Sequence, residues 1–415
     1  MHIALLALDT RGGVQPYTAL ALGLRDAGHD VRMVVHADAA PGIAARGITA
    51  VPLIGRAEEV ARESGAAEMG PLRRTRFMRR MVDEVVGEQT RQALDGSADA
   101  DLLVAGVGGS ALGRGVAEKL GRPFVEAHLQ PIGPSTSAFP GPLVPRVPGW
   151  TGAPGVRLSH RLSALGIDLL VGPAAKRVRA ELGLPARPAP VALGLPALYG
   201  YSPVVVPQPP EWGPDRHVTG YWTLPDGEGW TPPAELTAFL AAGPPPVCIG
   251  FGSMVGDDPA ALSALVRDAA RRAGMRAVLL SGWGGLDAAA PSSDDLLVLD
   301  QAPHDWLFPR CAAVVHHGGA GTTGAGLRAG VPSVLVPFGM DQPFWASRVV
   351  ALGVGPAPVP RRRLTAEALA AALRATTDRE MRARAADIGT AIRAEDGVGR
   401  AVAHLGAIAA RSTRS

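Results

Sequence analysis

Across 415 residues there are two cysteines, and aromatic side chains make up only 5% of the chain. Lysine occurs only as Lys119 and Lys176. So few cysteines exclude a disulfide framework, and Cys248 and Cys311, in or beside apolar runs, are expected as small core residues. A net charge of +3 with no regular basic–aromatic array argues against a nucleic-acid binder. No apolar run approaches the roughly 20 residues of a transmembrane helix. The opening Met1-His2-Ile3-Ala4-Leu5-Leu6-Ala7-Leu8 lacks a basic n-region and runs straight into a glycine turn. It therefore reads as a first strand, and the protein as soluble and cytoplasmic.

What is present is 47% hydrophobic residues in a chain too long for one ordinary core, so two α/β domains are expected. Both halves repeat a rhythm of short apolar strand, glycine turn and helix, which predicts parallel sheets with crossover helices. Strands are expected near 2–8, 31–35, 48–53, 101–106 and 123–127, then near 246–250, 275–281, 296–299, 312–316 and 333–336. The first helix is expected from Val14 to Ala27, ending at Gly28. The stretch Pro131 to Pro154 reads as a long ordered loop, and the proline-rich Pro203 to Pro214 as a stiff linker. The expected domains are thus 1–205 and 217–390, joined by 206–216, with a last segment 391–415.

The most informative segment is Val315-His316-His317-Gly318-Gly319-Ala320-Gly321-Thr322-Thr323. It predicts a buried strand, a tight turn of small residues and the start of a helix. Backbone N–H groups at such a helix start attract phosphate, and glycines allow it to approach closely. Thr322 and the rings of His316 and His317 add donors. The alternative is a plain glycine turn. The next strand, 333–336, delivers Asp341-Gln342 at its carboxyl end, where ligands of open parallel sheets bind. A carboxylate beside a carboxamide suits sugar hydroxyls. Together the two segments read as a nucleotide-sugar site.

The block from Pro303-His304-Asp305-Trp306 through His316 to Asp341-Gln342 and Arg348-Val349 resembles the donor signature of family-1 (UDP-glycosyltransferase superfamily) glycosyltransferases, closest to bacterial sterol and antibiotic-type members. The resemblance implies a GT-B fold, two Rossmann-like domains facing across a cleft, with the last helix crossing back onto the first domain. It implies inverting transfer of a hexose from a UDP- or dTDP-sugar to a hydrophobic small molecule, with no cofactor beyond that co-substrate. On this reading Ser253, His316, His317, Gly318, Gly319, Ala320, Gly321 and Thr322 hold the diphosphate. Gly252, Trp283, Gln301 and Ala302 would lie at the nucleoside, and Asp341 and Gln342 at the sugar. Gly252-Ser253 reads equally as a structural turn, and Trp283 as core. Gln301 stands where many relatives stack an aromatic ring on the base.

Asp99-Ala100-Asp101 matches a metal-binding DxD pattern but precedes its strand, at the amino edge, and reads as a surface turn. No other set has convincing ligand spacing, so metal-independent chemistry is expected. The chain departs from the family at Gly13, where relatives carry an Asp or His that takes the acceptor's proton. Asp9, four residues earlier, is the candidate for a relocated base, or it caps the first helix or pairs with Arg11. His128 is the second candidate base, or structural. Gly13, His128 and Phe139 are the expected acceptor-site residues. The mixed segment Arg73 to Met81 suits weak peripheral contact with anionic lipid or a solvated helix face. A donor-binding but catalytically silent auxiliary protein is the competing reading, and Gly13 is what favours it.

Overall fold

The structure is a computed structural model in which residues 1–55, 85–186, 195–227, 229–252, 258–282, 286–287 and 292–412 are described. The chain divides into two compact units. One holds the described residues up to Leu224 together with those from Asp396 onward, and the other holds Pro225–Glu395.

The first unit is built on seven strands in the order β3-β2-β1-β4-β5-β6-β7. They are β1 His2–Ala7, β2 Asp30–His36, β3 Thr49–Leu53, β4 Leu102–Ala105, β5 Phe124–His128, β6 Ala197–Tyr199 and β7 Arg216–Val218. Every pairing in this sheet is parallel. The second unit has five, β8 Val247–Gly250, β9 Ala277–Leu280, β10 Leu296–Leu299, β11 Ala313–His316 and β12 Ser333–Leu335. Their order is β10-β9-β8-β11-β12, again all parallel.

Parallel strands are covered by helices on both faces, so each needs apolar residues in succession. In β8, Val247 and Ile249 join one buried cluster while Cys248 between them joins another on the opposite face. Cys248 and Cys311 are both buried free thiols. No helix among the described residues is long and apolar enough to cross a membrane.

Ten of the twelve strands lie where the periodicity predicts them. The two it misses, β6 and β7, are three residues each and sit among prolines. They correct the expected linker. The stretch 206–216 belongs to the first unit, because Trp212 is buried there and stacks on Tyr199 of β6 at 4.4 Å. The division falls after Leu224 instead. The helix Gly397–Ser412 packs on the first helix, Arg11–Asp26, with Gly23 directly against Val398. Its His404 stacks on His217 of β7 at 3.5 Å.

Candidate functional site

In a doubly wound sheet the crossovers turn opposite ways on either side of one strand pair, leaving a crevice at the carboxyl edge between them. The strand orders place that switch between β8 and β11 in the second unit, and between β1 and β4 in the first. Gly252 follows β8, and His316 to Gly319 end β11 and its turn. Asp9 follows β1. Both candidate groups thus stand at the switch point of their own sheet.

Around the β11 turn the chain closes sharply. Gly318 has φ 94°, a left-handed conformation that side chains resist, and its α-carbon faces Leu335 and Gln342 with little room to spare. The Ala320–Ala329 helix follows, with Gly319 as its cap and the Gly319 carbonyl accepting from the Thr323 N–H at 2.9 Å. His316 is buried. Its Nδ1 accepts from the Gly318 N–H at 3.1 Å, which assigns the ring proton to Nε2. Burial first, then neighbouring His317 and His304, hold the His316 imidazole well below its ordinary pKa, so it is neutral. Burial and His304 likewise lower His317 to about 4.

Three polar atoms at this turn are buried with no hydrogen-bond partner: Nε2 of His316, Nδ1 of His317 and Oγ1 of Thr323. Buried polar groups in folded proteins nearly always have partners, so three orphans around one helix start point to a polar ligand. The glycines also serve the rings beside them. A β-carbon on Gly319 would lie 2.5 Å from His317 Nε2, and one on Gly252 3.4 Å from its Cε1.

At the end of β12 the chain turns through Met340, the only residue other than glycine with a positive φ (54°) among the described residues. Strain of this kind persists only where neighbours enforce it. Here Gln342 does so, its Oε1 accepting from the N–H groups of Phe338 (2.7 Å) and Gly339 (3.2 Å). Half-buried Asp341 caps the Gln342–Ala351 helix, and its Oδ2 accepts from Trp345 Nε1 at 2.9 Å.

In the first unit Asp9 is exposed, and its Oδ1 accepts from the Thr10 N–H at 2.7 Å. Gly13 lies one turn into the Arg11–Asp26 helix without a positive φ, so its backbone would accept any side chain. Space forbids one. A β-carbon there would lie 2.6 Å from Asp9 Cβ and closer still to its carboxyl group. The Asp9 carboxyl therefore fills the volume that a residue at position 13 would otherwise use. Behind it Tyr17 donates to the Ala127 carbonyl at 2.6 Å, and burial, reinforced by the Asp9 charge, keeps its hydroxyl protonated.

Comparison with known proteins accords with this geometry. Residues 3–132 match the glycosyltransferase family 28 N-terminal domain, and residues 288–400 the erythromycin biosynthesis protein CIII-like C-terminal domain. Two Arabidopsis thaliana proteins, sterol 3-beta-glucosyltransferases UGT80A2 and UGT80B1, are 37% and 35% identical to the chain over 97% of its length. The match covers 64% of the first and 67% of the second. The chain belongs to this family of GT-B glycosyltransferases. It spans about two thirds of the length of those plant relatives and 29% of a fungal one from Neosartorya fischeri. The sequence relatives are plant and fungal, so the expected bacterial character gains no support from them. Among solved structures, the glycotransferase of kitacinnamycin shares the fold at TM-score 0.69 and 20% identity, covering 97% of both chains. Glycosyltransferase VinC, solved in complex with dTDP, does so at 0.65 and 20%, covering 99% of this chain and 100% of its own.

In this chain the second sheet brings Gly252, Gln301, Ala302, His316 to Thr322, Asp341 and Gln342 to one carboxyl edge. Gln301 is exposed and Ala302 buried. Ser253, Trp283 and the segment Arg73 to Met81 lie outside the described residues. Three expectations need correction. Gln342 is buried with its Oε1 committed to the 338–339 backbone, so it shapes the turn instead of presenting that oxygen to a sugar. Phe139 is 3% exposed, its ring against His160 and Trp212, so it packs the interior instead of lining an acceptor surface. His128 is 1% exposed, with Nε2 at 3.2 Å from Glu126 and its ring against Tyr199.

Glu126 explains His128. Burial would raise its carboxyl pKa, but His128 and Arg114 together hold it below the ordinary value, so it stays charged inside the sheet edge. Sequence reasoning overlooked this buried triplet, although Glu126 and His128 two apart on one strand share a face. It also gave no role of its own to His304, which helps to lower the pKa of both turn imidazoles. The DxD look-alike is accounted for. Asp99 pairs with both terminal nitrogens of Arg32 (2.7 and 2.6 Å), and Asp101 accepts from the His2 N–H at 2.9 Å.

Proposed function

We propose that the protein is an inverting, metal-independent glycosyltransferase. It moves a hexose from a UDP- or dTDP-sugar to a hydrophobic small molecule such as a natural product or sterol-like aglycone. The observation that carries the reading is the Asp9 carboxyl in the volume left by Gly13. A transferase of this kind needs a base that takes the acceptor hydroxyl's proton as oxygen attacks the anomeric carbon. Gly13 has no group for this, and Asp9 supplies a carboxylate in the same space, at the switch point of its sheet. One displacement on carbon then inverts the anomeric centre, and the leaving diphosphate takes its charge onto the β11 turn.

The orphaned donors of that turn support the donor side. Neutral His316 presents a ring N–H, the Thr323 hydroxyl is buried without a partner, and the Ala320–Ala329 helix start offers amides. Such preorganised donors stabilise a departing diphosphate without a cation. Asp341 is the sugar-hydroxyl acceptor in this scheme. The names of the plant relatives, sterol glucosyltransferases, support a hydrophobic acceptor, and the VinC complex supports a thymidine diphosphate donor. A cytoplasmic setting belongs to the reading too, in keeping with Cys248 and Cys311 as buried free thiols.

The test is to incubate the protein with UDP- and dTDP-glucose and a panel of sterols, phenols and hydrophobic alcohols, and to look for glycosides. Binding of UDP or dTDP without any glycoside would favour the silent auxiliary protein instead. Absence of binding to either would remove the donor reading altogether.

A further inference from the structure

Amphipathic helices normally turn their leucines inward. The 30-residue helix Gly152–Glu181 does the reverse along its first half. Leu158, Leu162, Leu165 and Leu169 are 53%, 47%, 56% and 71% exposed. Their spacing of four, three and four residues sets them within roughly 60° of one another around the helix axis. The opposite side is fully engaged. Ser159 and Ser163 accept the Gly141 and Leu143 N–H groups at 2.8 and 3.2 Å, and Ile167 packs with Ile132. Trp150, just before the helix, is 88% exposed, and Leu170 is 44% exposed. Six of the nine large exposed apolar side chains among the described residues thus lie within 150–170.

Cations outnumber carboxylates along this helix. Between residues 150 and 180 stand Arg157, Arg161, Lys176, Arg177 and Arg179, against the single carboxylate of Asp168. Arg157 and Arg177 lie near Glu211 and Glu181, at 4.0 and 3.3 Å, and Arg179 pairs with Glu118 at 2.6 Å, whereas Arg161 and Lys176 have no acidic partner among the described residues. A leucine ridge with tryptophan at one end and cations along its sides fits the boundary between acyl chains and anionic headgroups. A second copy of the chain would bring like charges together, so the cations favour lipid over self-association.

The geometry points to the leucine ridge of the Gly152–Glu181 helix as a membrane-docking surface for anionic bilayers. Leucines and Trp150 enter the interface while Arg161 and Lys176 meet lipid phosphates. The inference does not rest on the proposed transfer reaction.

The test is co-sedimentation with phosphatidylcholine vesicles, alone or with about one third phosphatidylglycerol, at low and high salt. The wild type is expected to pellet with anionic vesicles and to release as salt rises. Leu162→Gln with Leu165→Gln, both at exposed positions, should weaken binding about tenfold. Arg161→Gln with Lys176→Gln should weaken it about twentyfold on anionic vesicles and leave the phosphatidylcholine result unchanged. Equal pelleting by wild type and variants would overturn the inference. So would a concentration-dependent dimer, seen by light scattering and lost in the leucine variant, without vesicle binding. UDP calorimetry on the same samples reads the donor site separately, so failure of one reading is not mistaken for failure of the other.

Discussion

If Asp9 is the base, its loss and its return should follow the shared volume at Gly13. Asp9→Ala is expected to lower kcat by about 10²–10⁴, the usual worth of a positioned general base, or roughly 3–5 kcal/mol. UDP affinity should be unchanged, because Asp9 and the β11 turn lie on different sheets. Gly13→Asp alone should also impair the protein. Its β-carbon would sit 2.6 Å from Asp9 Cβ, and two carboxylates would share one space. In the double variant Asp9→Gly with Gly13→Asp the volume is vacant, and position 13 has no positive φ to resist a side chain. A carboxylate then returns to nearly the same place from the neighbouring turn. Turnover should recover about tenfold or more over Asp9→Gly alone, a non-additivity only a shared role explains. The assay is glycoside formation at saturating donor, with the melting temperature measured alongside. Unchanged turnover in Asp9→Ala would refute the reasoning outright. Additive losses in the double variant would show that Asp9 acts by shaping the loop.

Other outcomes test the remaining parts. Asp341→Ala should abolish transfer while UDP binding survives, and Asp341→Asn, which keeps an acceptor for Trp345, should match its loss of activity without its loss in melting temperature. Equal loss of UDP affinity in calorimetry would show Asp341 to be structural. Both turn imidazoles have folded pKa values below the ordinary 6.5, so the folded state takes up protons later than the unfolded chain on acidification. Stability is therefore unaffected above about pH 6.5 and falls as pH drops below it, the His317 contribution running down to about 4, by up to about 1.4 kcal/mol per pH unit for each group. Denaturant titrations at stepped pH should show that slope, reduced in His317→Gln; a slope indifferent to this change would contradict the assignment. His128→Gln should cost about 1–3 kcal/mol of stability, as a buried partner of Glu126 is weakened, and change kcat only a few-fold. A drop of 10² or more at unchanged stability would restore His128 as a base.

The sequence was most legible where one rule acts locally. Burial on both faces of parallel strands makes the residues of β1, β4, β8 and β11 apolar or small apart from the end residues His2 and His316, and the glycines mark the turns that follow them. Switch points come from strand order alone, and so do the positions of Asp9 and the β11 turn. Legibility failed where a side chain's partner lies far away in sequence. Phe139 reads as an acceptor-site residue in a long loop because Trp212, which covers it, comes some seventy residues later. Trp212 itself was hidden inside a proline-rich passage that reads as a linker, although those prolines lead into the sheet edge at β7. Gln342 failed differently. Its composition suits a sugar, but the backbone it must hold, strained at Met340, claims its oxygen first. The Gly13 substitution shows the converse. A residue that looks like a missing function in one dimension becomes, in three, the space into which another carboxylate fits, so the absence of a base at 13 and the presence of Asp9 are one structural fact.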